Sequence, residues 1–353
     1  MAVQTLGASP LHSRSAQAAA RPIRLKRMLQ LLLSALLLLA ICAASLTIGA
    51  RAISVPTLLD ALTSYDPANG DHAVVLSRIP RTVTGLLVGA ALAVAGAALQ
   101  GVARNPLGDP GILGINAGAS LAVVGAIYLF GVSTAAGYIW FAFAGAACAA
   151  VVVHAVASLG REGATPVKLA LAGAALAAGL GSLTSSVLVS SQETLDRFRF
   201  WQVGTLSGRG WDVILTALPF ILAGLVLTIA TGKALNSLSL GDDVARGLGQ
   251  SVGRTRGVAA VGIVVLCGAA TAAAGPIAFV GLVIPHLVRL GSGPDYRWIL
   301  PFSALLGPVL LLSADILGRV VLPPGEVQVG IMTALVGAPV FIWLVRRRRM
   351  AQL

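Results

Sequence analysis

The sequence predicts an all-α membrane protein with about ten transmembrane helices, and its composition, its apolar runs and its charge distribution all support this fold class. Of the 353 residues, 57% are hydrophobic and 11% are charged, and the mean hydropathy is +0.89. Soluble globular proteins are far less apolar. The composition therefore excludes a water-soluble fold, and the apolar runs leave no room for a large soluble catalytic domain.

Ten apolar runs divide the chain, and most are long enough for a bilayer crossing, which takes about 20 residues. Most are apolar all round, and their many Gly and Ala residues allow neighbouring helices to approach closely. In chain order, the predicted crossings are Met28–Ile48, Thr82–Leu99, Gly111–Phe130, Ala135–Leu159, Pro166–Ser190, Trp211–Ala230, Gly257–Ala274, Ile277–Leu290, Trp298–Arg319 and Val327–Val345.

The first and eighth runs differ from the others. A cleaved signal peptide also begins with basic residues, but its apolar core has only about 7 to 15 residues, so we expect a retained first helix behind a mobile cytoplasmic tail, residues 1–27. The eighth run is short for a crossing, and Gly275-Pro276 before it marks either a loop or a kink. We expect one membrane domain over residues 28–346 and a basic tail over 347–353.

Lysine and arginine are sorted between alternate connections of these runs. With ten crossings, eighteen of the 25 lie on one side, including the basic segments at both ends of the chain, and seven lie on the other. Because cytoplasmic loops retain basic residues, we expect a multi-pass plasma (inner) membrane protein with both termini cytoplasmic. The net charge of +12 is spread between apolar runs, which favours contact with membrane lipid and not with nucleic acid.

The sequence contains no recognisable nucleotide, metal or catalytic site. Gly232-Lys233 is followed by Ala234 and lacks the first glycine of a phosphate-binding loop, and the glycines after Arg246 have the wrong spacing for dinucleotide binding. The three cysteines, at positions 42, 148 and 267, lack metal-ligand spacing and are expected to be small core residues. We therefore expect neither a cofactor nor enzyme activity in this chain.

Ionisable residues are nearly absent from the predicted crossings, although ion-coupled transporters usually place them near the bilayer midplane. Asp315 lies four residues before Arg319, a spacing that indicates an ion pair on one helix face. His154 and His286 are expected to pack or to form interfacial hydrogen bonds, with a direct transport role as the less favoured alternative. Any transport by this chain would therefore draw its energy from a partner protein.

Two arginines flank a proline in Ser77-Arg78-Ile79-Pro80-Arg81, ahead of the second crossing. We expect Pro80 to turn the chain and to place Arg78 and Arg81 at the outer membrane surface. Guanidinium groups fixed there suit carboxylates on a partner or an anionic solute. Alternatively, the two arginines are interfacial anchors.

Proline and glycine are dense between the second and third crossings, over residues 100–118. This density predicts a defined turn at the inner surface. Asn105 and Asp109 are suited to bond the backbone groups that a broken helix exposes.

A second inner loop, residues 241–256, predicts a short surface helix. Asp242 or Asp243 is expected to cap its start, and Gly247 or Gly249 to end it in a left-handed conformation. Such a helix can dock into another subunit, and a merely solvated loop is the alternative.

These motifs resemble those of one family, the permeases of type II ABC importers for iron-siderophores, haem and cobalamin. The pattern comprises RIPR at 78–81, NPLGDPG at 105–111, LGDDVARGLG at 240–249, GPIAFVGLVIPH at 275–286, and PPGEVQVGI at 323–331 with GAPVF at 337–341. The resemblance covers about residues 28–346, and the motifs occur in order. One of them would be weak, whereas five in sequence are specific.

The resemblance implies a type II ABC importer permease fold. Two ten-helix permease subunits, identical or different, would pair around a central pathway, with two cytoplasmic ABC ATPase subunits below and an extracytoplasmic solute-binding protein outside. It also implies that Arg78, Arg81 and Arg319 meet acidic residues of the binding protein. The implied gate and pathway residues are Asn105, Pro106, Leu107, Ser182, Thr184, Ser185 and Ser186. The implied ATPase-coupling residues are Gly241, Asp242, Asp243, Val244, Ala245, Arg246, Gly247, Leu248 and Gly249.

The expected function is therefore import of a ferric siderophore by alternating access, driven by ATP hydrolysis in the partner. A cationic and aromatic outer segment over residues 197–201 suits an anionic chelate, although the same composition is typical of an aromatic interface belt. Haem or cobalamin import is the alternative within the family. Ion-coupled secondary transport and a scaffolding role are the alternatives of other classes.

Overall fold

The structure is a computed structural model that describes residues 11–159, 165–323 and 325–350. Every regular element in these ranges is helical, with fourteen α-helices and one 3-10 turn over Pro110–Leu113. The α-helices are α1 (Leu11–Thr47), α2 (Val55–Thr63), α3 (Gly70–Val102), α4 (Ile115–Phe130), α5 (Ala135–Ala157), α6 (Pro166–Ser190), α7 (Gln192–Gln202), α8 (Trp211–Ala230), α9 (Gly232–Ser239), α10 (Asp242–Gly247), α11 (Val252–Ala274), α12 (Val280–Ser292), α13 (Tyr296–Val321) and α14 (Val329–Met350).

Ten of these helices follow the order of the ten predicted crossings. Across the described ranges, seven helices are long and apolar enough to span a membrane, namely α1, α3, α5, α6, α8, α11 and α13. Three shorter apolar helices, α4, α12 and the Val329–Trp343 part of α14, occupy the remaining positions. The predicted all-α membrane fold is confirmed.

The helix ends show what the apolar runs specify and what they do not. Helices α6 and α8 have the predicted bounds. In contrast, α1 begins at Leu11 within the predicted tail, and α14 ends at Met350 within the predicted basic segment. An apolar run marks the part of a helix that suits lipid, whereas the helix itself continues into its polar flank. The division into tails and one membrane domain stays a prediction.

Pro80 does not turn the chain, and our expectation of a bend there was wrong. Helix α3 begins at Gly70, where the Asn69 side chain accepts a hydrogen bond from the Asp71 amide, and it continues through Pro80. Proline has a helix-compatible φ and removes only one backbone donor, and the Thr84 hydroxyl donates to the Pro80 carbonyl at 2.8 Å. Arg78 and Arg81 therefore lie three residues apart on one helix face.

Helix α3 is the centre of the fold. It packs against α8, α11, α12 and α13, and 83% of its apolar window is buried. Glycines permit these crossings at backbone distance, since a Cβ on Gly96 would collide with the carbonyl of Gly281, and a Cβ on Gly89 would collide with the backbone of Pro308. Small residues at helix crossings supply van der Waals contact where lipid removes the hydrophobic driving force.

A non-helical segment separates the seventh and eighth predicted crossings. Helix α11 ends at Ala274, and the following Gly275 has φ +79°, where a Cβ would collide with the carbonyl of Trp201. Residues 276–279 are non-helical, and α12 begins at Val280. Gly275-Pro276 therefore marks a loop and not a kink. The Thr205 amide donates to the Ala274 carbonyl at 2.7 Å, so neighbouring chain covers backbone groups that the break exposes.

The pair Gly118 and Gly125 on α4 provides a matched test of glycine packing. A Cβ on Gly118 would collide with the carbonyl of Gly145 on α5, whereas a Cβ on Gly125 would meet nothing within 4 Å. We expect Gly118→Ala to destabilise the fold by about 1–3 kcal/mol through overpacking. Gly125→Ala should be neutral or stabilising by up to about 1 kcal/mol, because Ala favours helix. Thermal unfolding in detergent measures both, and equal midpoints for the two variants would contradict this packing.

Candidate functional site

Three arginines and two carboxylates form a cluster where α1, α3 and α13 meet; we call Arg78, Arg81, Asp315, Arg319 and Glu326 the arginine cluster. Asp315 accepts from Arg81 Nε at 3.0 Å and Nη2 at 2.9 Å, and pairs with Arg319 Nη2 at 3.1 Å. Glu326 pairs with Arg81 Nη1 at 2.8 Å. The buried Asp315 carboxylate thus joins α3 to α13, and the predicted Asp315–Arg319 ion pair is confirmed.

The other guanidinium donors of the cluster hold the end of α1. Arg78 donates to the carbonyls of Leu46 at 2.9 Å and Arg51 at 2.6 Å, and Arg319 donates to the Ser45 carbonyl at 2.8 Å and hydroxyl at 2.9 Å. The last carbonyls of a helix lack intrahelical partners, and charge-assisted hydrogen bonds satisfy them strongly. The cluster therefore fastens three helices together.

The three arginines that were expected to reach a binding protein differ in their solvent exposure. Arg319 is 1% exposed and Arg78 is 7% exposed, so both lie inside the chain and not on its surface. Arg81 is more accessible, with 12% of its side chain exposed next to the 34% exposed side chain of Glu326. Direct docking by these residues stays a prediction, and in this structure each of them already has partners within the chain.

A short helix occupies the opposite end of the bundle, as predicted for the 241–256 loop. It is α10, and Gly249 follows it with φ +78°. Ala245 is fully buried, while Val244 and Leu248 are exposed. The expected side-chain cap is not formed, because Gly241 occupies the cap position.

The two aspartates of α10 bind arginines instead of capping the helix. Asp242 pairs with Arg104 and, at 3.0 Å, with Arg256, while Asp243 pairs with Arg246 at 3.0 Å. The two carboxylates that could have capped the helix therefore form charge-assisted contacts with arginines.

The turn after α3 packs beside α10. The Asn105 side chain accepts from the Leu107 amide at 2.9 Å, and Asp109 accepts from the Gly111 amide at 2.7 Å, which confirms their predicted role in bonding exposed backbone groups. Burial raises the pKa of the Asp109 carboxyl, against the opposing effect of the Gly111 amide. Pro106 lies within the turn, and Leu107 exposes 44% of its surface at the tip.

The acidic residue Asp295 joins α9 to the start of α13. Asp295 accepts from the Asn236 amide group at 2.6 Å and from Arg297 Nη2 at 2.8 Å, and Asn236 in turn accepts from the Tyr296 amide at 2.8 Å. Hydrogen bonds from Arg297, reinforced by Asn236, lower the pKa of Asp295 to about 2 despite the opposing effect of burial. The segment that leads into α10 is therefore held to the bundle.

The four predicted pathway residues do not share one face of α6. Ser182, Ser185 and Ser186 are exposed, whereas Thr184 is buried and bonds the Leu180 carbonyl at 2.8 Å. Only 11% of the apolar window of α6 is buried, so the three serines lie on a largely uncovered helix face. Residues three and four positions apart share one face of a helix, so the spacing of Ser182, Ser185 and Ser186 could have identified this face from the sequence and excluded Thr184 from it.

The remaining candidate side chains are cysteines and histidines. Within the described ranges, no group of three or more His, Cys, Asp or Glu residues could bind an ion. Cys267 is buried as expected, but Cys148 is exposed on α5, so its predicted core position was wrong. A small apolar side chain is tolerated on a lipid-facing surface as well as in a core. His286 is buried in α12, and His154 is exposed near the end of α5.

Sequence reasoning missed Arg104, Arg256 and Glu326 as partners of the predicted residues. Asp242 and Arg256 are fourteen residues apart, which spans a turn and a helix start, and Arg104 and Asp242 lie in different loops. The spacing of residues along the sequence does not predict pairs of this kind. The one available signal was the position of Arg104 inside the inner turn, directly before Asn105.

Residues 36–347 match the FecCD transport family. The chain belongs to this family. A probable siderophore transport system permease protein, YfiZ of Bacillus subtilis, is 45% identical over 313 residues, which cover 88% of this chain and 93% of YfiZ. The ferric enterobactin transport system permease protein FepD of Escherichia coli is 46% identical over 314 residues, covering 89% and 93%.

A solved structure of an inward-facing metal-chelate type ABC transporter has the same fold as this FecCD-family chain. It is 31% identical, the TM-score is 0.79, and the match covers 90% of this chain and 98% of the solved one. The FecCD-family chain is thus a multi-pass inner-membrane permease, and the expected resemblance and location are confirmed.

Asp315 and Glu326 provide a matched test of the arginine cluster, because both pair with Arg81. Asp315→Asn leaves the buried Arg319 without a carboxylate, a loss that typically costs about 3–5 kcal/mol. Glu326→Gln removes a more exposed partner, for which the usual cost is about 0–1 kcal/mol. We expect a lower yield of folded protein and a lower detergent unfolding midpoint only for Asp315→Asn. Equal losses in the two variants would show that burial does not set the importance of these pairs.

Proposed function

We propose that the chain is one of two permease subunits of an ATP-driven importer that carries ferric siderophore by alternating access. Two cytoplasmic ATPase subunits would bind the 241–256 loop, and a solute-binding protein would dock at the arginine cluster. The exposed face of α10 is the observation that carries this proposal. Val244 and Leu248 are apolar and uncovered there, and Asp243 and Arg246 add charges around them.

The orientation follows from the distribution of basic residues. Arg27, Arg246, Arg254, Arg256 and Arg297 all belong to the end that contains α10 or to segments joined to it. Because basic loops remain on the cytoplasmic side, we assign this end and both termini to the cytoplasm. The arginine cluster then lies at the outer surface.

An external energy source fits the chemistry of the crossings better than ion coupling does. Asp315 is the buried carboxylate that a coupling ion would use, but Arg81 and Arg319 already occupy its oxygens. A coupling ion would have to displace two guanidinium groups. The sequence also lacks a phosphate-binding loop of its own, so hydrolysis is assigned to a partner.

Charge supports the docking of an acidic protein at the arginine cluster. Three arginines face two carboxylates, so the cluster retains one positive charge that is available to attract a negative partner. Arg81 is the accessible member, and a partner carboxylate would compete with Glu326 for it. Arg78 and Arg319 act in docking by holding Arg81 and its helix in place.

A ferric siderophore is the proposed solute because YfiZ is named a probable siderophore permease and FepD a ferric enterobactin permease. In α7, Arg197, Arg199 and Phe200 are exposed, whereas Phe198 and Trp201 are buried and unavailable to a solute. The exposed serines of α6 would line the pathway beside the second permease subunit. Haem and cobalamin remain the alternatives within the family.

Uptake by the assembled complex tests the solute. With the chain, its ATPase subunits and its binding protein reconstituted in vesicles, we expect ATP-dependent accumulation of labelled ferric siderophore and little accumulation of haem or cobalamin. Competition with excess unlabelled siderophore is the control for specificity. Preferential uptake of haem or cobalamin would contradict the proposed solute while leaving ATP-driven import in place.

Leu248 provides a test of ATPase binding through α10. Leu248→Glu places a charge on the exposed apolar face, and desolvating it should weaken ATPase binding about tenfold or more, which corresponds to about 1.4 kcal/mol. Leu322→Glu makes the same change at an equally exposed position, 61% against 62%, at the opposite end. Copurification of the ATPase should fall for the first variant only. An unchanged ATPase yield with Leu248→Glu would argue against docking at α10.

A further inference from the structure

The first residue of α10 binds arginines from two separate parts of the chain. Asp242 Oδ1 accepts a hydrogen bond from Arg256 Nη2 at 3.0 Å and also pairs with Nη2 of Arg104. Arg256 lies in the second turn of α11, and Arg104 lies in the turn that follows α3. One carboxylate therefore joins three elements; we call this contact the Asp242 bridge.

The neighbouring aspartate shows that the bridge is specific to Asp242. The Asp243 side chain is 98% exposed and, among the residues that the structure describes, pairs with Arg246 of the same helix alone, whereas the Asp242 side chain is 28% exposed. Two adjacent carboxylates of one short helix thus face in different directions. Asp243 faces outward, where a partner protein would lie, and Asp242 faces the permease.

The backbone of Arg104 lies in the left-handed region. Its φ is +49°, and Phe279 is the one other described non-glycine residue with a positive φ. Side-chain-bearing residues rarely adopt this conformation, and it persists where the surroundings hold it. The following turn is bonded internally, since the Asn105 amide donates to the Gln100 carbonyl at 3.2 Å and the Gly108 amide donates to the Asn105 carbonyl at 3.0 Å. Arg104 therefore connects this internally bonded turn to Asp242.

Open clefts flank the bridge on both sides. Arg104, with Ser239, Arg289 and Tyr296, lines one cleft of about 220 Å³. Arg256 lines another cleft of about 530 Å³ next to α5. Close-packed interiors resist displacement of their parts, and here the ionic contact is bordered by space into which the turn can move.

We propose that the Asp242 bridge transmits the movement of α10 to the turn of residues 103–109, and so sets when the inner gate opens. Asp242, Arg104 and Arg256 are positioning residues that touch neither solute nor nucleotide. The inference rests on the proposed function, in which an ATPase subunit moves α10. It adds the connection through which that movement reaches the gate.

The bridge is tested by labelling at the tip of the turn in the full complex. Leu107→Cys is introduced after the native cysteines are replaced by serine, and its reaction with a membrane-impermeant thiol reagent is followed with and without ATP. Asp242→Asn and Arg104→Gln should each reduce the ATP-dependent change in labelling rate about fivefold or more. Asp242→Glu should retain it. The double variant should lose no more than either single variant, because both changes remove one contact.

Arg254 and Arg256 supply the matched control. Both lie on α11 two residues apart, but Arg254 is exposed and Arg256 pairs with Asp242. Per ATPase-bound complex, Arg256→Gln should reduce the labelling response, whereas Arg254→Gln should not. Labelling is compared per complex that retains bound ATPase and hydrolyses ATP, measured for every variant, which separates a broken bridge from a misfolded or dissociated complex.

The outcomes separate the bridge from the proposed function. If the unmodified complex changes its labelling with ATP and Asp242→Asn does so equally, or if the losses of Asp242→Asn and Arg104→Gln multiply in the double variant, the bridge is refuted and ATP-driven gating stands. If the unmodified complex itself does not respond to ATP, both the proposed function and the bridge are refuted. The labelling readout requires no knowledge of the solute.

Discussion

A carboxylate anchors each end of the apolar part of the central helix α3, and the rest of the structure depends on this arrangement. Asp315 binds Arg81, which directly precedes the apolar run that begins at Thr82, and Asp242 binds Arg104 just beyond the end of the helix. Arg81 and Val102 are 21 residues apart, which corresponds to about 32 Å of helix, close to the thickness of the bilayer hydrocarbon core. Glycine contacts to α12 and α13 hold the helix between these points. The two ends proposed to meet partner proteins are thus connected by one buried, stiff element.

The two anchors differ in strength because they differ in exposure. Asp315 and Arg319 each expose 2% of their side chains, and breaking such a buried pair is costly. Asp242 and its two arginines expose 28 to 36% of their side chains, a range in which ion pairs contribute less and rearrange more readily. The arginine cluster is suited to hold α1, α3 and α13 together in every state. The inner contact is suited to move with α10 as the pathway opens and closes.

The sequence predicted features that depend on neighbouring residues, but not contacts between residues that are far apart in the chain. Apolar runs located the ten apolar helices of the described ranges, seven of which are long enough to span a membrane, since lipid selects for local composition. Short helices such as α2, α7 and α9 were missed because they lie between the apolar runs. Pro80 was misread because packing around α3 stabilises a helix that a proline would otherwise weaken. The Asp315–Arg319 pair was predicted from its helical spacing, whereas Arg104 and Asp242 meet only after the fold has formed.

We propose that this permease does no energetic work itself and is driven by an ATPase bound to its 241–256 loop. The most direct measurement is accumulation of ferric siderophore in vesicles that contain the purified chain alone, under proton and sodium gradients and with ATP. No accumulation above the external concentration is expected under any of these conditions, and adding the ATPase subunits and the binding protein should restore it. Accumulation by the chain alone against a concentration gradient would contradict the claim.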